Sequence, residues 1–205
     1  MAASILKGLS FPSLVSSAEI DAAGGKVIAA NNCTVESLTK KDGGLSFSRL
    51  DAALPFFPMD ALSIVPHAPI LEELNDYRLK VTGLAAGKYE VRVGGKKIAE
   101  LTAEQLATGA NLALGALTDG PIADQAKAVR AAVENKNRFH LTMIFRGIVL
   151  SNVPEWVYSV VPREELEAKK KTVIEERLAK LPALDAEVAK ALVMKANTFD
   201  IVPVK

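Results

Sequence analysis

The sequence predicts an α+β protein in which a small antiparallel β-sheet module is followed by a bundle of long helices. In the first half of the chain, short apolar–polar alternations are separated by glycine pairs, a pattern typical of β-hairpins. From Pro121 onward the apolar residues recur with the helical period instead. A chain of 205 residues is long enough for one sizeable core or two small ones.

Three regions follow from these patterns. We expect a terminal helix in residues 1–12, an antiparallel β module in 13–115, and a helical region with an extended C-terminal tail in 116–205. No low-complexity linker separates the last two regions. The boundary between them is therefore placed near Gly115–Gly120, where the pattern changes. The tail Thr198–Val204 is expected to add an edge strand.

The segment Met1–Leu9 is predicted to be a short helix, since Ile5, Leu6 and Leu9 share one face. Pro12 ends the pattern. The helix opens without an N-cap, which suggests that chain is missing upstream. A secretory signal would need a continuous apolar core of about 7–15 residues, and this segment has none. A serine-rich transit peptide is the alternative reading of the N-terminus.

The middle of the chain is predicted to consist of turns, a helix start and an extended connection. Gly83 and Gly87-Lys88 superficially resemble a phosphate-binding loop, but that motif needs four residues between its glycines and Ser or Thr after the lysine. Tyr89 follows Lys88 here, so the segment is a turn between strands. Thr102–Gln105 matches a capping box and predicts a helix start. The Pro-rich segment Leu54–Pro69 is expected to be an extended connection.

The helical region shows one long apolar stripe and a solvated helix. The stripe is formed by Ile122, Ala126, Val129, Val133, His140, Ile144 and Ile148. The segment Pro162–Leu181 is predicted to be a charged helix in which Glu165 and Lys169 pair in the favourable order. Pro182 begins a further helix.

Composition excludes several partners. The chain has 25 basic and 24 acidic residues, which argues against a nucleic-acid partner and a polybasic membrane contact. The apolar run Leu141–Leu150 is interrupted by Arg146 and is too short to span a bilayer. Cys33 is the single cysteine, so we expect no internal disulfide and no multi-thiolate metal site.

Few residues could carry chemistry. The two histidines, His67 and His140, have no paired spacing for zinc, and no Gly-x-Ser-x-Gly elbow is present. We therefore assign no catalytic residue, metal or cofactor. Trp156 and Tyr158 could stack on a sugar, although connection aromatics more often pin helices together. His67, in the Pro-rich connection, is the third candidate binding residue.

Four segments, in order, carry a family resemblance. They are "SFSRLDAALPFF", "LNDYRLKVTGLAAGKYEVRVGGKKIAELTAEQLATGANLA", "QAKAVRAAVENKNRFH" and "FDIVPVK". Together they resemble the C-terminal half of a group of bacterial SGNH/GDSL hydrolases, common in planctomycetes. The opening "MAASILKGL" resembles the helix that follows the Asp-x-x-His-Pro block of that family.

The resemblance implies an ester-hydrolase parent with a flavodoxin-like α/β/α catalytic domain upstream of this chain. In that family the nucleophile lies in a Gly-Asp-Ser motif, Gly and Asn help form the oxyanion hole, and Asp and His complete the triad. None of these blocks occurs here, and Asn137–His140 lacks the aspartate. The chain is thus expected to be a non-catalytic C-terminal accessory region. Its expected partner is an upstream catalytic domain or a separate hydrolase chain, with acetylated carbohydrates as candidate substrates.

Two other hypotheses remain open. The chain could be a stand-alone module that binds carbohydrate or protein, or an enzyme with an unrecognised site near His67. An accessory fragment should expose Ile5, Leu6 and Leu9 and self-associate through the Met1–Leu9 helix, whereas a stand-alone module should cover that stripe. A parent of this family is commonly exported, but the sequence itself assigns no compartment.

Overall fold

The computed structural model describes residues 2–204 and divides them into two compact units. The first unit comprises the residues up to Ala126 together with those from Met194 onward, and the second unit is Lys127–Val193. Strands and helices are both abundant, so the predicted α+β class is confirmed. The extended tail, which the sequence groups with the helical region, belongs to the first unit.

The first unit contains two β-sheets. Their strands are β1 Leu14–Asp21, β2 Lys26–Asn31, β3 Cys33–Lys41, β4 Gly44–Asp51, β5 Asp76–Thr82, β6 Lys88–Val93, β7 Lys96–Thr102, β8 Ala110–Asn111 and β9 Asn197–Pro203. One sheet has the order β2-β1-β5-β8 and the other β3-β4-β9-β6-β7. The predicted hairpins β1–β2, β3–β4 and β6–β7 are confirmed.

Two expectations about the sheets were wrong. The module is not wholly antiparallel, because β1 and β5 pair in parallel after a connection that contributes β3 and β4 to the other sheet. The tail is not an edge strand, because β9 lies between β4 and β6. Phe199 and Ile201 of β9 are 0% and 1% exposed. Pro203 is the last residue of the strand, so its missing N–H does not interrupt the ladder.

The core lies between the two sheets. Every second residue of a strand points to the same face, and these residues are the apolar ones. The first sheet contributes Ala18, Ile20, Tyr77, Leu79 and Val81, and the second Leu45, Phe47, Tyr89, Val91, Val93, Phe199 and Ile201. Phe47 and Phe199 stack with ring centroids 5.4 Å apart.

Five short helices of the first unit precede or connect its strands. They are α1 Ala2–Gly8, a 3-10 helix Met59–His67, α2 Ile70–Leu74, α3 Ala103–Thr108 and α4 Ala113–Thr118. The predicted capping box at the start of α3 is confirmed: the Thr102 side chain accepts from the Gln105 N–H, and the Gln105 side chain accepts from the Thr102 N–H. The Pro-rich connection is partly helical rather than extended, and it buries Phe57 while Phe56 is 62% exposed.

Helix α1 ends at Gly8, one residue before the end of the predicted segment, and the predicted start at Met1 lies outside the described residues. The Phe11 N–H donates to the Leu6 carbonyl at 3.0 Å, which places Phe11 beside the last turn. Ile5 and Leu9 are 56% and 74% exposed, and Leu6 is 38% exposed. The apolar stripe of α1 is therefore open in this chain.

The second unit is helical. Helix α5 Pro121–Arg138 enters it and continues into a π-helix, Phe139–Val149; a 3-10 helix Glu155–Ser159, α6 Arg163–Leu178 and α7 Leu181–Ala191 follow. The change from α to π geometry was not predicted, and the Leu150 N–H donates to the Phe145 carbonyl at 2.8 Å in the five-residue spacing. Arg177 of α6 donates to the Met143 carbonyl, and the predicted Glu165–Lys169 pair is present at 2.6 Å.

Candidate functional site

A buried polar cluster joins the two sheets of the first unit. Ser16 and Tyr77 come from one sheet, and Arg49 and Asp51 come from the other. The side chains of these residues are 0% to 4% exposed. They are the largest concentration of hydrogen-bonding side chains inside the described core, and for this reason they are the first candidate for a site.

The carboxylate of Asp51 is the centre of the cluster. Its Oδ1 accepts from the Ser16 hydroxyl at 2.7 Å and from Arg49 Nε at 2.8 Å. Its Oδ2 accepts from the Tyr77 hydroxyl at 2.7 Å. Arg49 Nη2 donates to Ser16 Oγ at 2.7 Å, and Nη1 donates to the Arg78 carbonyl at 3.3 Å. Every charged atom of the pair is thus satisfied, as burial requires.

Aromatic rings complete the surroundings of the guanidinium. The Arg49 Cζ lies 4.3 Å from the centroid of the Tyr77 ring and 5.5 Å from that of Phe199. A planar cation close to aromatic rings gains a favourable interaction with the ring electrons. The guanidinium is therefore held by three hydrogen bonds and by contacts with two aromatic rings.

The surroundings hold the protons on Tyr77 and Arg49. Burial raises the pKa of Tyr77 well above its usual value, so its hydroxyl keeps its proton and donates to Asp51. Burial acts to lower the pKa of Arg49, but Tyr77 and Asp51 outweigh it and the pKa is raised. Burial also raises the pKa of Cys33, whose Sγ lies 3.3 Å from the Ser17 carbonyl oxygen.

This arrangement is structural rather than catalytic. A nucleophilic serine needs a base that takes its proton and an open path to a substrate. The Ser16 hydroxyl instead accepts from a guanidinium, donates to Asp51 and is fully buried. The cluster links the two sheets through side-chain hydrogen bonds across the core.

Sequence reasoning missed this cluster, although the alternation of β4 contained the signal. Leu45, Phe47, Arg49 and Asp51 are spaced by two residues, so they share one face of the strand. The apolar members mark this face as the buried one. Two charged residues in phase with a buried strand face therefore predict a buried ion pair.

An open cleft lies at one end of the first unit. It has a volume of about 320 Å³ and is formed by the turn between β3 and β4, the turn after β5 and Ala22. Lys40 and Lys41 stand on its rim, and Lys40 donates to the Ala23 carbonyl at 2.7 Å. Asp42 also borders it. The lining has no histidine, cysteine or serine, so it offers neither a serine or cysteine nucleophile nor an imidazole base.

The three predicted binding residues belong to different units. His67 ends the 3-10 helix of the first unit and is exposed. Trp156 and Tyr158 lie on the 3-10 helix of the second unit. The Trp156 side chain is 69% exposed, while the Tyr158 ring is half-buried with the Arg163 guanidinium 4.7 Å from its centroid. Arg163 thus occupies one face of Tyr158, and Trp156 is the more accessible aromatic.

Two further findings concern ligands and membranes. Within residues 2–204, no group of three or more His, Cys, Asp or Glu side chains is placed to hold a metal ion. Among the same residues, none of the helices has both the length and the apolar composition needed to cross a membrane.

Comparison with known proteins gives a likeness in structure. No family model and no curated protein matches its sequence. Among solved structures, it is similar to BT4096, a gut microbial diltiazem-metabolizing enzyme, with a TM-score of 0.72 and 22% sequence identity. The match covers 98% of this chain and 52% of that chain, so this chain spans about half the length of the enzyme. At this identity the likeness shows a shared fold.

Proposed function

We propose that this chain is the C-terminal accessory region of an SGNH/GDSL-type ester hydrolase and is itself non-catalytic. The observation that carries the proposal is the extent of the structural match. Nearly the whole chain matches about half of an enzyme. The other half of that enzyme lies outside the match and is long enough to hold a separate domain. The SGNH/GDSL assignment itself rests on the sequence segments that resemble the family.

The state of the serines supports a non-catalytic role. Ser16, the serine of the buried cluster, is sealed in the core and bonded to Arg49. Both histidines, His67 and His140, are exposed, and neither has a serine as a hydrogen-bond partner in the described part of the chain. Catalysis by serine acylation would then require a nucleophile from a catalytic domain in the same polypeptide or in a separate chain.

The open stripe of α1 supports the existence of such a domain. Ile5, Leu6, Leu9 and Phe11 are all more than a third exposed within one short segment. Exposed apolar groups that cluster in this way mark contact surfaces in soluble proteins. A catalytic domain that covered this stripe would remove most of its apolar area from water. The accessory region would then support or extend the substrate cleft of its partner.

Hydrolysis of a simple aryl acetate by the purified chain tests the non-catalytic role. We expect no release of the aryl alcohol above the buffer rate, and the same result with diltiazem as substrate. The control is any characterised serine esterase at equal concentration, with and without a serine-directed inhibitor. Turnover by this chain that the inhibitor abolishes would overturn the proposal.

A carbohydrate-binding module is the second candidate, and the exposure of Trp156 favours it. An indole face that is open to solvent can stack on a sugar ring. Retardation in native gels containing an acetylated polysaccharide would support this function if Trp156→Ala removed it. Equal mobility of the wild-type chain with and without polysaccharide would exclude it for that ligand.

A further inference from the structure

The π-helix Phe139–Val149 is the most unusual element of the second unit. In a π-helix each N–H pairs with the carbonyl five residues earlier, and in proteins this pairing is rare and mostly limited to a single turn. Here it extends over 11 residues. Helix α5, which ends at Arg138, leads into it directly. Contacts specific to this segment must therefore favour π pairing over α pairing.

Thr142 supplies the first of these contacts, at the junction with α5. Its hydroxyl donates to the Arg138 carbonyl at 2.6 Å. In an α-helix this carbonyl pairs with the N–H of Thr142 itself, four residues on. A hydroxyl that bonds to the carbonyl four residues earlier competes with α pairing and often bends a helix. The competing donor thus acts where the pairing changes.

Gly147 permits a close approach inside the π-helix. A Cβ atom at this position would lie 2.6 Å from the Thr142 carbonyl oxygen. Thr142 precedes Gly147 by five residues, so its carbonyl is the π acceptor of the Gly147 N–H. Non-bonded heavy atoms attract best at about 3.5–4.0 Å, and at 2.6 Å they repel. The π pairing at this point therefore requires a residue without a Cβ.

Arg177 of α6 supplies a donor from outside the segment. Its guanidinium donates to the Met143 carbonyl. Met143 precedes Gly147 by four residues, so in an α-helix the Met143 carbonyl would accept from the Gly147 N–H. The guanidinium is thus bonded to the carbonyl that Gly147 leaves when α pairing changes to π pairing. A charged donor makes a stronger hydrogen bond than a neutral one.

We propose that Phe139–Val149 is a conformational device with two states. In the π state, Gly147 allows the pairing and Arg177 holds it. In the α state, helix α5 continues to Val149. A π-helix turns through a smaller angle per residue than an α-helix, so a change of state rotates the side chains of the segment about the helix axis. The device therefore decides which apolar side chains of the segment face α6, against which it packs.

The segment carries apolar side chains that suit either state. Ile144 and Ile148 are buried, whereas Phe145 and Val149 are 42% and 53% exposed. A rotation of the segment exchanges apolar for apolar side chains at the contact with α6, so neither state places a large charged group there except Arg146. The proposal concerns the second unit alone and does not depend on the hydrolase assignment.

Scalar couplings across hydrogen bonds, measured by NMR on the isotope-labelled full chain, test the proposal because they identify the carbonyl that each N–H contacts. In the wild-type chain we expect residue 147 to couple to Thr142, and Leu150 to couple to Phe145. In Arg177→Ala and in Gly147→Ala, the acceptor should shift by one residue. Residue 147 should then couple to Met143, in the α spacing.

Two further variants separate the role of Arg177 from a general loss of charge. Arg177→Lys keeps a cationic donor at the same position of α6 and should keep the five-residue couplings. Arg146→Ala removes the same side chain from an exposed position of the π-helix itself and should also keep them. A loss of π couplings in Arg146→Ala equal to that in Arg177→Ala would overturn the assignment of Arg177.

The couplings decide the other points as well. A wild-type chain with four-residue couplings, or Arg177→Ala with unchanged five-residue couplings, would overturn the proposal. If the amide signals of the segment vanish in Arg177→Ala and no four-residue couplings replace them, the second state is disordered and the α state is excluded. If Gly147→Ala prevents folding, Arg177→Ala alone decides, because it alters no residue of the segment.

Discussion

The first unit encloses its apolar side chains between two sheets, whereas the second unit leaves most of its own exposed to solvent. In the first unit, order comes from residues far apart in sequence, such as Ser16, Arg49 and Phe199. In the second unit, most visible contacts are local, such as the pairs Glu165–Lys169 and Glu167–Lys170 along α6. Local pairs stabilise a helix only weakly. The comparison indicates that the first unit supplies most of the stability of the isolated chain.

The largest expected effect tests the buried cluster. Arg49→Ala leaves the Asp51 carboxylate buried without its cation, so it should lower the free energy of unfolding by about 3–5 kcal/mol. Urea denaturation followed by circular dichroism measures the change. Arg92→Ala, which breaks a partly exposed pair with Glu90, is the matched control and should have little effect. A loss below about 1 kcal/mol for Arg49→Ala would contradict the assigned role of the cluster.

A pair of identical substitutions compares the two units directly. Val91 is 0% exposed in the first unit, and Val133 is 37% exposed in the second. Val91→Ala should cost about 2 kcal/mol through lost burial and a residual cavity, and Val133→Ala less than about 0.5 kcal/mol. Equal losses in urea denaturation would mean that the second unit has a packed interior after all. A concentration-dependent loss for Val133→Ala would instead indicate that association buries this side chain.

The pH dependence of stability follows from Tyr77. Burial raises the pKa of Tyr77 in the folded chain well above the unfolded value near 10. An ionised Tyr77 oxygen would also lie directly against the Asp51 carboxylate, which it contacts through a hydrogen bond when protonated. The folded state thus holds the proton more tightly than the unfolded state. This contribution is complete below pH 10 and declines above it, by about 1.4 kcal/mol per pH unit.

Tyr77→Phe isolates this contribution. The variant should be less stable than wild type at neutral pH, because Asp51 loses a hydrogen bond, yet its stability should decline less steeply above pH 10. Urea midpoints measured between about pH 8 and about pH 11 give both slopes. Parallel slopes for the two proteins would mean that another group controls the alkaline transition.

The smallest expected effect concerns helix termini. Thr102→Ala removes the capping box of α3 in the first unit and should cost about 1 kcal/mol. Thr172, inside α6, donates only to the Ala168 carbonyl of the same helix. Thr172→Ala should be neutral or slightly stabilising, because alanine has the higher helix propensity. Thermal unfolding of both variants measures the difference. An equal loss of stability for both variants would contradict the assigned role of the Thr102 cap.

The sequence predicted the local structure well because local structure depends on neighbouring residues. The glycine turns predicted three hairpins, and Thr102–Gln105 predicted the start of α3. It did not predict the parallel pairing of β1 and β5 or the central place of β9, since partners distant in sequence are not encoded in alternation alone. It also missed the π geometry after Arg138, because an apolar stripe fits both α and π helices locally.

The candidate site was less predictable than the fold. Arg49 and Asp51 were missed because charged residues are normally exposed, and their burial depends on partners from another sheet. His67, Trp156 and Tyr158 were chosen by residue type alone, and the structure distributes them over two units. Their roles stay predictions.

The central place of β9 has a consequence for biosynthesis. This strand is translated after the whole second unit, yet it completes the hydrogen bonding of β4 and β6 in the first unit. Until it leaves the ribosome, both strands present open edges, which are the surfaces through which nascent β proteins aggregate. Every chain therefore passes through a period, set by the time needed to translate the helical unit, in which its larger sheet is divided and exposed to chaperones.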